Sequence, residues 1–309
     1  MLDFIKYYLK SMRLYYGFVT LTAGWVGLSL YNGHIDLLNK VILLVIMFID
    51  WGVNQIINDF TGLKEDKINA PERPMVTGKL QAKPALILSI TIICAALGYS
   101  LYINPLSIVP LIFGVLMNIL YSWAKSYGIF GNIAFGVSIS CCTWYCYVAL
   151  GGGLIDFFRE NLLIWLCIVV LNMIMTYFTY FKDYEGDKSA GKNTLVVKFG
   201  LKNAAVFGLV ISFIPIALFM LFQGNAYYFT SSLIAAIMFV LTGFLFFKNQ
   251  EGQEGEKTYF NLKYNFAALS AAQATYVCLT SGVEGLILTI VSVIGVLAIF
   301  RFGYKDAKQ

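Results

Sequence analysis

The hydrophobic positions of this chain fall into long runs separated by short polar segments. A helix that crosses a bilayer needs roughly 20 mainly apolar residues, because backbone N–H and C=O groups cannot be left unpaired in hydrocarbon. About ten runs in the chain reach that length. The pattern therefore predicts membrane-spanning helices over residues 13–31, 37–60, 83–103, 106–124, 131–151, 161–182, 203–222, 226–247, 260–280 and 283–301.

The composition is that of a membrane protein. Of 309 residues, 59% are hydrophobic and 13% are charged, and the mean hydropathy is +0.73. A water-soluble domain of this length has no single core that encloses so much apolar surface. No Ser-rich or Pro-rich linker divides the sequence. We therefore predict one all-α, polytopic transmembrane helical bundle of nine to ten spans over residues 1–309.

Lys and Arg gather in alternate loops, which indicates the orientation because these residues are retained on the cytoplasmic side. The alternation fits ten spans with both termini in the cytoplasm, and it places segments 61–82 and 183–202 on that side. Residues 1–12 have a basic face and an aromatic face, which predicts an interfacial helix rather than a signal peptide. The topology accounts for the net charge of +5, so we expect membrane lipid and not nucleic acid as a partner.

Polar residues recur at helical spacing in the second and sixth predicted spans. Asp50, Asn54, Asn58 and Asp66 share one helix face, and Asp59 adjoins it. The stripe in the sixth span consists of Asn172, Thr176, Tyr180, Asp183 and Asp187. Polar side chains at membrane depth face the bundle interior or a water-filled cavity, because hydrocarbon does not solvate them. Carboxylates one turn apart, repeated on two helices, are suited to hard divalent cations.

Cationic side chains accompany these acids and are suited to phosphate oxygens. They are Arg73, Lys125, Lys182, Lys188 and Lys192. Acidic helix ends, divalent cations and basic residues at a bilayer surface together favour one ligand class, a diphosphate joined to a hydrocarbon tail. The tail would lie in the apolar bundle, where ring faces stabilise a developing allylic cation. The candidate rings are Trp51, Tyr121, Trp144, Tyr145, Tyr147, Tyr177 and Tyr180.

Structural roles stay open for many of these residues. A lone polar residue within a span often only joins two helices by a hydrogen bond, and basic loop residues often only set the topology. The six cysteines fall inside predicted spans without zinc-site spacing, which favours packing as small apolar groups. The one histidine, His34, falls on the predicted outer side, so no general base is evident.

In these loops the sequence resembles the UbiA superfamily of intramembrane prenyltransferases. The first motif of the superfamily is Asn-Asp-x-x-Asp-x-x-x-Asp, often followed by Asn-x-Pro-x-Arg-Pro. It is matched here by Asn58, Asp59, Asp66, Asn69, Pro71, Arg73 and Pro74. The second motif and the Tyr-x-x-x-Lys element between the two are matched by Asp183, Asp187, Gly191, Thr194, Leu195, Tyr121, Lys125, Gly131 and Asn132. The resemblance covers most of the chain, over residues 13–280.

The resemblance implies a helical bundle with a lateral, lipid-facing opening and Mg²⁺ held by the two aspartate motifs. An isoprenyl diphosphate would ionise to an allylic cation, and an aromatic or other lipophilic acceptor would capture that cation as diphosphate leaves. Metal ions would neutralise the charge that develops on the departing diphosphate.

Pattern and resemblance together assign a role to each candidate residue. The expected metal ligands are Asn58, Asp59, Asp66, Asp183 and Asp187. The side chains expected to bind diphosphate are Arg73, Lys125, Lys182 and Lys188. The expected catalytic residues are Asn54, Asn58, Tyr121 and Lys125, of which Asn54 and Tyr121 would border the reacting carbon.

One position departs from the superfamily pattern, since Gly62 stands where the first motif has its middle aspartate. Asp59 or Glu65 would then complete the first metal site, or the altered site serves an altered reaction. Some related proteins cyclise a polyprenyl diphosphate without an acceptor, and they resemble this chain in the pairs Asn54-Gln55 and Glu65-Asp66. A membrane terpene cyclase is therefore the alternative enzyme. A transporter or lipid-binding protein with carboxylate ion ligands is the alternative outside enzymes.

Overall fold

The computed structural model describes residues 2–34, 36–249 and 256–305. The described chain is built from α-helices, with two short 3₁₀ helices at Leu14–Tyr16 and Pro105–Ser107. The α-helices are α1 Leu2–Met12, α2 Gly17–Leu30, α3 Leu37–Thr61, α4 Leu63–Asn69, α5 Ala82–Ile103, α6 Ile108–Ala124, α7 Ile129–Ala149, α8 Leu154–Thr179, α9 Tyr184–Ser189, α10 Leu195–Ile211, α11 Ile214–Phe219, α12 Ala226–Lys248, α13 Glu256–Val277 and α14 Gly282–Lys305.

The predicted all-helical membrane bundle is confirmed. Within the described ranges, eight helices are long and apolar enough to cross a membrane. The two other predicted spans are also helical: Leu14–Leu30 is apolar but shorter, and α13 has full length but a more polar sequence. The long helices thus coincide with the predicted spans, although nine to ten is only an approximate count of true crossings.

Two predicted spans begin seven or eight residues too late. The sixth span begins at Leu154 rather than near residue 161, because its charged first turns are helical and exposed, with Arg159 Nη1 3.5 Å from Asp156 Oδ1. The seventh span begins at Leu195, where the Thr194 hydroxyl accepts a hydrogen bond from the Val197 N–H and caps the helix. Helix α10 is kinked at Gly200, where the φ of 71° favours glycine.

Helices α7 and α8 occupy the centre of the bundle, with 56% of the most apolar stretch of each buried. Helix α7 packs against α2, α6 and α8, and α13 packs against α2, α8, α12 and α14. In helix α5, only 11% of the most apolar stretch is buried. It packs mainly against α3 and hardly touches α6. The apolar outer surfaces of α5 and α6 are therefore available to lipid.

The ends of α3, α6 and α8 bring the two acidic segments to the same end of the bundle. These helices are the second, fourth and sixth spans, so their C-terminal ends lie on one side of the membrane. Segment 61–82 contains α4 after a break at Gly62, whose N–H still bonds to the Asn58 carbonyl. Helix α1 packs on α3 at this end, and the Tyr8 and Ser89 hydroxyls, 2.8 Å apart, tie it to α5.

Candidate active site

A cavity of about 380 Å³ runs from this end of the bundle into its interior. Its volume lies in the range of about 300–1,000 Å³ that is usual for small-molecule sites. Residues of α2, α3, α5, α6, α7 and α8 line it, together with two residues that follow α8. Five predicted site residues are among its walls: Asn54, Asn58, Tyr121, Lys182 and Asp183.

The first acidic motif forms a compact ion-pair cluster beside the end of α3. Arg73 Nη1 lies 3.1 Å from Asp59 Oδ1 and also contacts Asp66 Oδ2. The Asp59 side chain is only 2% exposed. One guanidinium nitrogen thus sits between the two carboxylates, so both point toward a single position.

A second arginine completes this cluster, and it was not among the predicted site residues. Arg13 Nη2 lies 2.9 Å from Asp59 Oδ1, and its Nη1 donates to the Gln55 amide oxygen. Arg13 has a φ of 50°, rare for a residue with a side chain. Arg13 adopts that conformation between α1 and the 3₁₀ helix Leu14–Tyr16, and the sequence does not predict it. From the sequence, Arg13 indicated only the topology.

The second acidic motif repeats the arrangement with a lysine. Lys125 Nζ lies 3.2 Å from Asp183 Oδ2 and 3.0 Å from Asp187 Oδ2. Lys192 Nζ approaches the other oxygen of Asp187 at 3.7 Å. Here too, one cationic nitrogen sits between two carboxylates from one short segment.

Local backbone structure explains why Lys125 reaches these acids. The Gly128 N–H donates to the Asn193 carbonyl at 2.8 Å, which joins the segment after α6 to the segment after α9. Gly128 has a φ of 63°. At Gly131 a Cβ atom would approach the Tyr180 hydroxyl to 2.7 Å and the Lys125 Cα to 2.8 Å. Only glycine allows this close approach of α7 to Lys125.

The two aspartates of the second motif differ in electrostatic environment. Burial alone would raise the pKa of Asp183, but Lys182 and Lys125 outweigh it and hold that pKa below its usual value. Burial raises the pKa of Asp187 above its usual value despite the opposing effect of Lys125. Burial would lower the pKa of Lys125, but Asp183 and Asp187 raise it above the ordinary lysine value. Lys125 is therefore charged at neutral pH.

An aromatic wall borders the cavity next to Asn54 and Asn58. It is formed by Tyr16, Trp51, Phe135 and Tyr121, all of which line the cavity. Tyr16 and Trp51 stack with an interplanar angle of 1° and centroids 4.8 Å apart. The Trp51 and Phe135 centroids are 5.4 Å apart, and those of Phe135 and Tyr121 are 5.2 Å apart. Tyr16 and Phe135 were not predicted, because nothing distinguishes them from packing aromatics in the sequence.

The cavity opens sideways between α5 and α6. Ile93 of α5 and Val115 of α6 line it, and both are exposed, by 43% and 54%. Because α5 and α6 hardly touch, a lipid tail has a path between them. The lateral opening expected from the superfamily resemblance is thus present.

Some candidates lie elsewhere. Lys188 is exposed, with Nζ 5.6 Å from the centroid of the Tyr184 ring, and it does not line the cavity. Four of the candidate rings, Trp144, Tyr147, Tyr177 and Tyr180, belong to the packed core rather than the cavity wall. The side chain of Glu65 is outside the described part of the structure. In the described ranges, no three His, Cys, Asp or Glu side chains form a group that could hold a metal ion, so the acids act as pairs.

The fold and the cavity define an integral membrane protein with a charged site at one end of an apolar chamber. Comparison with known proteins agrees with this class. Residues 18–267 match the UbiA prenyltransferase family. The chain therefore belongs to that family, as the two aspartate motifs predict, and its enzyme class is prenyltransferase.

Individual relatives are similar over most of the chain. The digeranylgeranylglyceryl phosphate synthase of Methanothermobacter thermautotrophicus is 26% identical over 82% of this chain and 91% of its own length. A UbiA homologue from Aeropyrum pernix has a TM-score of 0.69 at 17% identity, over 84% of this chain and 96% of that one. A UbiA homologue from Archaeoglobus fulgidus, bound to DMAPP and Mg²⁺, has a TM-score of 0.58 at 17% identity, over 85% and 99%. At such identities the structural matches establish the fold.

Proposed function

We propose that this protein transfers an isoprenyl group from an isoprenyl diphosphate to a lipophilic acceptor, in a Mg²⁺-dependent reaction that releases diphosphate. One observation carries the proposal. The ends of α3 and α8, each with a carboxylate pair and its own cation, border one cavity that continues into an apolar, ring-lined interior. A charged head and a hydrocarbon tail on one ligand match these two environments.

The carboxylate pairs fit Mg²⁺ in an arrangement that includes the substrate. Mg²⁺ is usually bound by one or two carboxylates together with substrate phosphates and water, rather than by an all-protein cage. Two pairs, Asp59 with Asp66 and Asp183 with Asp187, supply that donor set, and Asn58 adds an amide oxygen. Each pair already converges on a cationic nitrogen, which stands in for a metal ion. When bound, the metal supplies neutralisation of the departing diphosphate.

The basic residues bind and orient the diphosphate. Lys182 lines the cavity, while Arg73 and Lys125 lie at the carboxylate pairs and can turn to phosphate oxygens when metal occupies the acids. Lys188 reaches the diphosphate only if its exposed side chain swings toward the cavity. Guanidinium and ammonium groups match phosphate oxygens by charge and hydrogen-bond geometry.

The cavity residues next to the diphosphate position the reacting carbon. Asn54 and Asn58 lie one turn apart on α3, and Tyr121 faces them from α6. The rings of Tyr121 and Trp51 border the space where positive charge develops on the allylic carbon, and a cation over an aromatic face is stabilised by about 0.5–2 kcal/mol. Lys125 holds Asp183 and Asp187 beside this space.

The relatives support both the donor class and the acceptor class. The name digeranylgeranylglyceryl phosphate synthase denotes a product with two geranylgeranyl groups on glyceryl phosphate, which agrees with an isoprenyl donor and a lipid acceptor. We further propose that residues 1–309 act as one unit, with α1 at the interface and segments 61–82 and 183–202 on the cytoplasmic side, where soluble isoprenyl diphosphates and Mg²⁺ are available.

The direct test measures diphosphate release and prenyl transfer by the purified protein in lipid nanodiscs. Geranylgeranyl diphosphate, Mg²⁺ and a lipophilic alcohol should yield diphosphate and a prenylated product. The double variant Asp183→Asn/Asp187→Asn should lose both. The matched control is Asp156→Asn, which makes the same chemical change at an exposed acid of the opposite end and should retain them. Full turnover by the double variant would refute the assigned site.

The same experiment separates transfer from cyclisation. The first acidic motif has two carboxylates where the superfamily has three, because Gly62 supplies none, and this feature favours the cyclase alternative. A cyclase forms a cyclic hydrocarbon or alcohol from the donor alone. A cyclic product in the absence of acceptor would replace the transferase proposal with that alternative.

A further inference from the structure

Asp50 is an acid of a membrane-spanning helix that the proposed diphosphate site does not use. It lies on α3 and lines the cavity, two turns deeper than Asn58. At 1.5 Å per residue, the eight intervening steps correspond to about 12 Å along the helix axis. Its side chain is exposed, and the surface that it exposes faces the cavity.

No side chain or backbone group in the described residues forms a hydrogen bond or ion pair with the Asp50 carboxylate. Three hydroxyl groups of the cavity wall form hydrogen bonds with other residues. The Thr20 hydroxyl donates to the Met47 carbonyl at 2.6 Å. The Ser138 hydroxyl donates to the Gly114 carbonyl at 3.0 Å. The Tyr145 hydroxyl shares a 2.5 Å hydrogen bond with Ser100.

An ionisable residue at membrane depth without a protein partner indicates a functional group, because placing it there is costly and folding gains nothing in return. A hydrocarbon tail offers Asp50 no compensating contact. The deep end of the cavity, around Asp50, therefore fits a ligand with a hydrogen-bond donor, distinct from the isoprenyl tail. In a transfer reaction that ligand is the acceptor.

We propose that Asp50 is the catalytic carboxylate on the acceptor side, which binds the hydroxyl of a neutral alcohol acceptor and takes its proton. This inference rests on the proposed prenyl transfer. Asn54, one turn along α3, separates Asp50 from Asn58, so a hydroxyl held between Asp50 and Asn54 lies beside the carbon joined to diphosphate. The sequence offers no histidine for this task, since His34 is exposed on the opposite side of the membrane.

The reaction balances with this assignment. The bond between the first isoprenyl carbon and the diphosphate oxygen breaks, and its electron pair leaves with diphosphate. The acceptor oxygen forms the new bond to that carbon and yields an ether. The hydroxyl proton moves to the Asp50 carboxylate and later passes to water in the cavity. No oxidant, reductant or further reactant is needed.

Asp50 also defines the chemical class of the acceptor. A carboxylate binds a hydroxyl by accepting its hydrogen bond, but it repels a phosphate or carboxylate close to it. The lysine that lines the cavity, Lys182, lies at the other end beside Asp183 and does not compensate that repulsion. The acceptor should therefore present a neutral head group to the deep end of the cavity. In this respect we expect the chain to differ from relatives that are named for a glyceryl phosphate product.

The test uses the full-length protein in nanodiscs with geranylgeranyl diphosphate and Mg²⁺. The two acceptor probes are 1-O-dodecylglycerol and its 3-phosphate, which differ only in the anionic group. The enzymes compared are the wild type, Asp50→Asn, which keeps the shape but cannot take a proton, and Asp156→Asn as the control. The readouts are kcat and donor KM for transfer, together with slow diphosphate release in the absence of acceptor.

We expect the wild type to prenylate the neutral alcohol and not the phosphate. General-base removal typically costs about 100-fold or more, so Asp50→Asn should lower kcat for transfer by about that factor, with donor KM and acceptor-free diphosphate release unchanged. Transfer by Asp50→Asn at the wild-type kcat would overturn the inference. So would a wild type that prenylates the phosphate, or neither probe, while it still releases diphosphate. A wild type that releases no diphosphate would overturn the proposed function as well, so the two failures are distinguishable.

Discussion

Replacement of Lys125 by methionine should destabilise the metal-free protein and increase the stabilisation that it gains from Mg²⁺. Lys125 Nζ is 3.2 Å from Asp183 and 3.0 Å from Asp187. Methionine keeps most of the side-chain volume but removes the charge. Both carboxylates then lose their shared partner, and Asp187, with a side chain only 5% exposed, remains buried.

The size of the effect follows from the burial of the three groups. Removing one partner of a buried ion pair costs about 3–5 kcal/mol. The Asp183 side chain is 39% exposed, so solvent screening reduces its share to the level of a surface pair, about 0–1 kcal/mol. Lys192 also remains near Asp187 at 3.7 Å. We therefore expect a loss at the lower end of the buried range, about 3 kcal/mol.

Mg²⁺ distinguishes this electrostatic origin from a loss of packing. The ammonium group of Lys125 occupies the position toward which both carboxylates point, so it competes with a divalent cation. A ligand that binds only the folded state stabilises it in proportion to its affinity. Without the competing ammonium, Mg²⁺ should stabilise Lys125→Met more than the wild type.

The assay is SDS-induced unfolding of the purified protein, with chelator and with excess Mg²⁺. Lys202→Met is the matched control, because Lys202 is exposed on α10 and the chemical change is the same. The control should unfold like the wild type under both conditions. Equal stability of Lys125→Met and wild type in chelator, or equal stabilisation of both by Mg²⁺, would refute the reasoning.

Three more predictions concern the first motif and the ring wall. Arg13→Met should lower the free energy of unfolding in chelator by about 2 kcal/mol, the usual contribution of a hydrogen bond to a charged group, because Asp59 is buried; unchanged stability would contradict this. Gly62→Asp should lower the Mg²⁺ concentration for half-maximal turnover, because its Cβ would lie 4.0 Å from Asp66 Oδ2; a higher requirement in a Mg²⁺ titration would count against it. Trp51→Leu should lower kcat about tenfold, from a cation–π loss of about 1–2 kcal/mol, with little change in donor KM; a change confined to KM would assign Trp51 to tail binding instead.

The hydrophobic pattern predicts the membrane helices well because the bilayer imposes their length. Every predicted span corresponds to a helix, and most boundaries agree within a few residues. The exceptions are helices that continue into polar sequence. The predicted spans leave Asp156 and Arg159 in a loop, yet both lie in exposed turns of α8. A helix can continue beyond the hydrocarbon of the bilayer into its polar surface.

The membership of the site is predicted in part. Spacing and charge place Asn58 and Asp183 at the same cavity, since alternate helix ends must meet on one side. Which cation contacts which carboxylate depends on contacts between loops, such as the Gly128 to Asn193 hydrogen bond. Loop contacts of this kind leave no periodic pattern in a sequence, and Arg13 was assigned only to topology for that reason.

The pairing of every described motif aspartate with an internal cation has a consequence for how the site fills. Arg13 and Arg73 form ion pairs with Asp59, while Lys125 and Lys192 form ion pairs with Asp187. Metal alone would have to displace these cations and leave them without partners, which is unfavourable at partly buried positions. Diphosphate alone would meet carboxylates that are still neutralised by the same cations. If both were bound, the carboxylates would hold the metal and the arginine and lysine side chains would bind phosphate oxygens, so every charge would keep a partner. Binding of Mg²⁺ and binding of the isoprenyl diphosphate should therefore strengthen each other by the same factor, as linkage requires.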